Sequence, residues 1–164
     1  MHPQRIEPGP GQESVWDYPR PPRIELTKKP TKVVFNGTVI AASKQAKRVL
    51  ETSHPPVYYF PPEDVHQEYL QPIPRRTFCE WKGPASYFTV KVGERQAEAA
   101  AWCYSQPTET FEPIRNYIAF YPSQMEACYL GDEQVQPQKG DFYGGWITSD
   151  IVGPFKGGMG TWGW

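Results

Sequence analysis

This 164-residue chain has no basic excess: 17 Lys and Arg stand against 18 Asp and Glu, for a formal charge of −1. Nucleic-acid and polyanion binders normally carry a strong positive imbalance, so the balance excludes that class. Cysteine is scarce. Cys79, Cys103 and Cys128 are odd in number and 24 and 25 residues apart, so neither a disulfide framework nor a C-x-x-C zinc knuckle is present. We expect a reducing, cytoplasmic setting and a site without metal or cofactor. No apolar run approaches the roughly 18 residues of a membrane span, and Met1–Gly11 lacks the apolar segment of a secretory signal. Paired carboxylates are also missing. Among Asp17, Asp64, Asp132, Asp141 and Asp150 no two are closer than nine residues, and no phosphate loop of the form G-x-x-x-x-G-K-[ST] occurs. A nucleotide-processing enzyme that holds Mg²⁺ between two carboxylates is therefore disfavoured.

Proline and aromatic residues are abundant. The chain has 19 prolines, and 15% of it is Phe, Trp or Tyr. Prolines scattered this widely exclude a helical bundle, and the aromatic content excludes a disordered chain. Residues 1–31 read as a proline-rich N-terminal arm, interrupted by Val15, Trp16 and Tyr18. Residues 32–136 read as a β-rich core domain. Asn36-Gly37 between Lys32–Phe35 and Thr38–Ala41 predicts a two-residue hairpin, because both central residues of a type I′ turn need positive φ. Further strands are expected at Val57–Phe60, Thr77–Trp81, Ser86–Val92, Ala99–Tyr104, Tyr117–Tyr121, Glu126–Leu130 and Gln134–Gln136. Short helices are expected from Pro61-Pro62, with Val65, Tyr69 and Leu70 on one face, and over Thr108–Arg115. Residues 137–164 hold eight of the 14 glycines and three of the six tryptophans, and read as an irregular C-terminal wrap. The fold class is thus mainly β: a single domain of two small antiparallel sheets, one or two short helices and irregular wrapped termini.

Five motifs occur in order along the chain: Phe35-Asn36-Gly37 with Ile40-Ala41; His54 before Tyr58-Tyr59-Phe60-Pro61-Pro62-Glu63; Cys79-Glu80-Trp81-Lys82-Gly83 with Ala85-Ser86-Tyr87; Ala101-Trp102 with Tyr104 and Pro107; and Ile114 with Tyr117–Tyr121. Over roughly residues 32–125 this series resembles the domain-of-unknown-function family 427, some of whose members carry a nucleotidyltransferase-like label. The Asp141–Ile147 stretch and the residues after it resemble the glycine- and tryptophan-rich extension of a longer subgroup. The resemblance implies a β-tent-like arrangement of two sheets meeting at an angle. It implies no established activity. β-tent relatives often hold zinc in paired C-x-x-C knuckles, which this chain lacks.

The best candidate for chemistry is Cys79-Glu80-Trp81-Lys82-Gly83, where a thiol, a carboxylate and an amine lie together beside a glycine turn. On a strand, Cys79 and Trp81 would share a face. A Lys82 ammonium near Cys79 would favour the nucleophilic thiolate, whereas pairing with Glu80 would leave a surface salt bridge. His54, oriented by Glu51 or Glu63, is a candidate base for Cys79. Trp81, Lys82, Tyr87, Trp102 and Tyr59 are candidate ligand-binding residues, either as walls of a small-molecule pocket or as plain aromatic core. The leading expectation is a small-molecule-binding domain, with Cys79, Lys82, Glu80 and His54 as the candidate catalytic residues should it be an enzyme. The alternative is a protein-interaction module using the arm or the tail. No nucleic-acid or membrane partner is expected, and oligomeric state is not legible.

Overall fold

The protein is described by a computed structural model covering residues 4–140 and 142–164. Met1–Pro3 of the arm and Asp141 of the tail motif lie outside the described residues. The architecture is mainly β. Among the described residues the sheets are small and nearly all antiparallel, and more numerous than the two expected: two four-stranded sheets, one three-stranded sheet and two two-stranded ribbons. Among the described residues no helix is long and apolar enough to cross a membrane.

One four-stranded sheet starts from the predicted hairpin. Strands Thr31–Phe35 and Thr38–Ser43 pair across Asn36 and Gly37, at φ 48° and 71°, as a type I′ turn requires. Strand Ala127–Leu130 adds to the other side of Thr31–Phe35 and turns back into Glu133–Gln134. The other four-stranded sheet is a meander of Leu70–Cys79, Gly83–Val92, Arg95–Cys103 and Ile118–Phe120. The two sheets share the main core: Val33, Phe35 and Ile40 of the first pack with Val90, Ala101, Cys103 and Phe120 of the second.

Pro61–Leu70 and the stretch after it differ from the sequence reading. Pro61–Leu70 is not a helix with Val65, Tyr69 and Leu70 on one face. It makes two single 3-10 turns, Pro62–Asp64 and Gln67–Tyr69. Between them the backbone is drawn into the sheet, with Val65 bridging Ala41 and the His66 N–H donating to the Ile40 carbonyl at 2.8 Å. Leu70 instead opens a ten-residue strand. Its Pro72 and Pro74 hid that strand in the sequence. They are tolerated because the strand lies at a sheet edge, where one row of N–H groups needs no partner.

The arm and the tail are joined to the body. Arg23–Leu26 pairs with Lys47–Leu50, which also pairs with Val57–Tyr59, forming the three-stranded sheet. Glu13–Ser14 pairs in parallel with Ile151–Val152. Trp16 Nε1 donates to the Pro154 carbonyl at 2.8 Å, and its ring lies 5.6 Å from that of Trp164. Trp146 is fully buried in the main core, against Tyr58 and Phe60. Trp162 alone of the tail tryptophans stands open, at 87% exposure.

Candidate functional site

The site is built around a hairpin tip. Cys79 faces Gly83 in register, so Glu80, Trp81 and Lys82 form the turn. This corrects the strand placement of Trp81: it does not share a strand face with Cys79, because the chain has already left the sheet. Gly83 sits at φ 104°, where a Cβ would come within 3.1 Å of the Gln106 carbonyl oxygen. Only glycine takes that backbone conformation freely. The turn is tied down from outside by Thr108, whose N–H donates to the Lys82 carbonyl at 3.0 Å and whose hydroxyl donates to the Trp81 carbonyl at 2.6 Å.

Behind the turn lies a cavity of about 370 Å³. Its lining includes every candidate catalytic and ligand-binding residue named from the sequence: Cys79, Glu80, Trp81 and Lys82 from the hairpin, Tyr59, Tyr87 and Trp102 from three strands, and His54 from a connection. Alternation along the strands, continued by Tyr104 and Tyr121 one residue past their ends, sends Tyr87, Trp102, Tyr104 and Tyr121 to one face, away from the main core, where they gather with Tyr59. Trp102 lies 4.5 Å from the Tyr121 ring and makes an edge contact with Tyr59 at 6.2 Å. The Tyr87 hydroxyl shares a 2.9 Å hydrogen bond with Thr77.

Polar groups are few and differ in state. Burial, with the fields of Lys156, Lys82 and Arg20, pushes the His54 imidazole down to about 3. Glu51 Oε2 stands 3.6 Å from Nε2 and favours a charged ring, but burial and three cations prevail and the ring is neutral. Gln138 fixes the tautomer. Its Oε1 accepts from the Gly145 N–H at 3.1 Å, and its Nε2 donates to the Lys156 carbonyl at 2.7 Å. That places the amide nitrogen 3.5 Å from Nδ1, so Nδ1 accepts and the ring proton sits on Nε2. No hydrogen bond joins His54 to Cys79. Instead, Lys82 Nζ donates to the Cys79 sulfur at 3.7 Å. Glu63 lies away from the cavity lining, so Glu51 is the carboxylate beside the imidazole. Burial raises the Tyr59, Tyr104 and Tyr121 hydroxyls, which stay protonated at neutral pH.

Sequence reasoning missed the tail's share of the wall: Gln138, Phe142, Tyr143, Gly144 and Lys156. Gly144 lies flat on the Trp102 indole, where a Cβ would come within 2.3 Å of the ring. The only sequence signal was the glycine pair Gly144-Gly145 beside Trp146. Among the described residues no group of three or more His, Cys, Asp and Glu side chains is placed to hold a metal ion.

Residues 23–131 match the family model described as domain of unknown function (DUF427) and labelled NTP_transf_9. The match covers about two thirds of the chain, and the chain belongs to this family. No curated protein matches the sequence. The hairpin and the strand-borne rings fall inside the matched segment, whereas Gln138, Tyr143, Gly144 and Lys156 fall beyond it.

Proposed function

We propose that this chain is a small-molecule-binding domain whose site is the aromatic cavity behind the Glu80–Lys82 turn. One observation carries the reading: three strands, a hairpin turn and the tail all contribute aromatic rings to one cavity of about 370 Å³, with a few polar side chains among them. That volume and that mixture of apolar wall and sparse polar groups are typical of ligand pockets, which run from about 300 to 1,000 Å³. The wall also holds a thiol and an amine 3.7 Å apart. These are groups that an enzyme could use, but binding does not require them to react.

The test is native mass spectrometry of the full chain as isolated from cells, with Cys79→Phe as comparison. Cys79 is half-buried in the wall, so the added ring projects into the space a ligand would take. The wild type is expected to retain a small-molecule adduct and Cys79→Phe to be bare. Identical spectra for the two proteins would overturn the reading.

A further inference from the structure

We infer that the ligand is a planar aromatic anion, with its ring against the cavity mouth and its carboxylate or phosphate on Lys82. The inference rests on the cavity being a ligand site.

The ring is indicated by which aromatics still have a face to offer. Trp102 and Tyr87 are already buried, at 6% and 5% exposure. At the rim, Trp81 and Tyr143 are half-buried, while Phe78 and Phe142 are 75% and 68% exposed although both line the cavity. Large rings left in water beside an apolar concavity gain most from a flat apolar partner, and an aromatic ring supplies one with favourable stacking geometry.

The charge is indicated by Lys82. Among the described residues no Asp or Glu oxygen lies within 4 Å of its ammonium, whereas Arg5, Lys29 and Arg48 elsewhere each hold one at 2.6–2.8 Å. Lys82 meets the Cys79 sulfur and the Phe111 ring, 5.9 Å away. Lys156, in the same wall, is already met by the main-chain oxygen of Trp164 at 3.3 Å, which Arg20 also meets at 3.3 Å. Lys82 is half-buried. The two carboxylates of the wall do not answer it: Glu80 is exposed on the turn, and Glu51 faces the His54 imidazole. A partly desolvated ammonium without a counter-charge is costly, and a ligand anion supplies that charge. His54, being neutral, adds no further positive charge.

The experiment is calorimetric titration of the full chain with three probes: naphthoate, its neutral carboxamide, and adenosine monophosphate. Naphthoate is expected to bind at least tenfold more tightly than the carboxamide. Lys82→Met is expected to erase that gap, while the exposed-site control Lys91→Met keeps it. If Lys82→Met fails to fold by circular dichroism, Lys82→Gln is expected to narrow the gap. Tighter binding of the nucleotide than of naphthoate also supports the inference and selects phosphate as the anionic group. Equal affinity for acid and carboxamide overturns the anion assignment and leaves the pocket reading standing. No binding of any probe overturns the pocket reading itself.

Discussion

Replacing Gly144 by alanine tests whether the tail is a fitted wall of the cavity or a loose wrapping. The new methyl carbon would start 2.3 Å from the Trp102 ring, against an optimal carbon–carbon separation of roughly 3.5–4.0 Å. More than an ångström must therefore be found, and neither side has it to give. The indole is held by Tyr121 at 4.5 Å and by Tyr59 at 6.2 Å. The tail is held next door, where the Gln138 N–H donates to the Gly145 carbonyl, the Gly145 N–H donates to Gln138 Oε1, and the Gly145 Cβ position is blocked by Gln138 Oε1 and the Pro55 carbonyl. Nor can the tail peel away at little cost, since Trp146, two residues on, is fully buried in the main core. Overpacking of this kind costs about 1–3 kcal/mol. For a chain of this length that corresponds to a fall in Tm of roughly 2–12 °C. Gly163→Ala, where no atom lies within 4 Å of the added carbon, is the control and should stay within about 0.5 kcal/mol of wild type. Thermal and urea unfolding read both variants. A Gly144→Ala protein as stable as Gly163→Ala would refute the packing argument.

His54 and Cys79 give further tests. The imidazole titrates at 6.5 when unperturbed and at about 3 in the fold. Above pH 6.5 both states are neutral and the group contributes nothing. As pH falls below 6.5, the unfolded chain takes up a proton that the folded chain refuses, so stability drops. Between about pH 7.5 and 5.5 the loss should approach about 1 kcal/mol by urea unfolding, and His54→Gln should flatten it. The lowered carboxyls of Glu13 and Asp17 titrate at 4.5 and 3.8 when unperturbed, so their stabilisation is lost only at lower pH. An equal slope in both proteins would contradict the neutral ring. Iodoacetamide should label Cys79 first, because Cys103 and Cys128 are buried and burial raises both thiols, Cys128 to about 12. Lys82→Met should slow Cys79 labelling, and an unchanged rate would show that the 3.7 Å contact has no chemical consequence.

The parts of the fold legible in the sequence were those set by local chemistry. Asn36-Gly37 determines its own turn through φ, and the Phe88–Val92 alternation marks a half-buried strand. The parts that were not legible depend on partners distant in the chain. The edge strand through Pro72 and Pro74 forms because Gly83–Val92 offers a ladder, and the expected helix at Pro61–Leu70 gives way to the pull of Ile40 and Ala41. The site shows the same division. The Cys79–Lys82 turn and the strand-borne rings announce themselves by type and order. Gln138 and Lys156 do not, because an ordinary glutamine and lysine become wall residues only when the tail folds back across the indole.

The parallel pairing of Glu13–Ser14 with Ile151–Val152 joins positions almost the whole chain apart. Its consequence is kinetic. Such a contact cannot form until nearly all intervening structure is in place, and the entropy of closing so long a loop is lost before the pairing returns anything. Together with the pairing of Thr31–Phe35 with the distant Ala127–Leu130, this places the chain among slow folders, with times of milliseconds to seconds. The hairpins should assemble first. The arm, the tail and the tail's side of the cavity should become ordered last and together, so that completion of the cavity marks the end of folding.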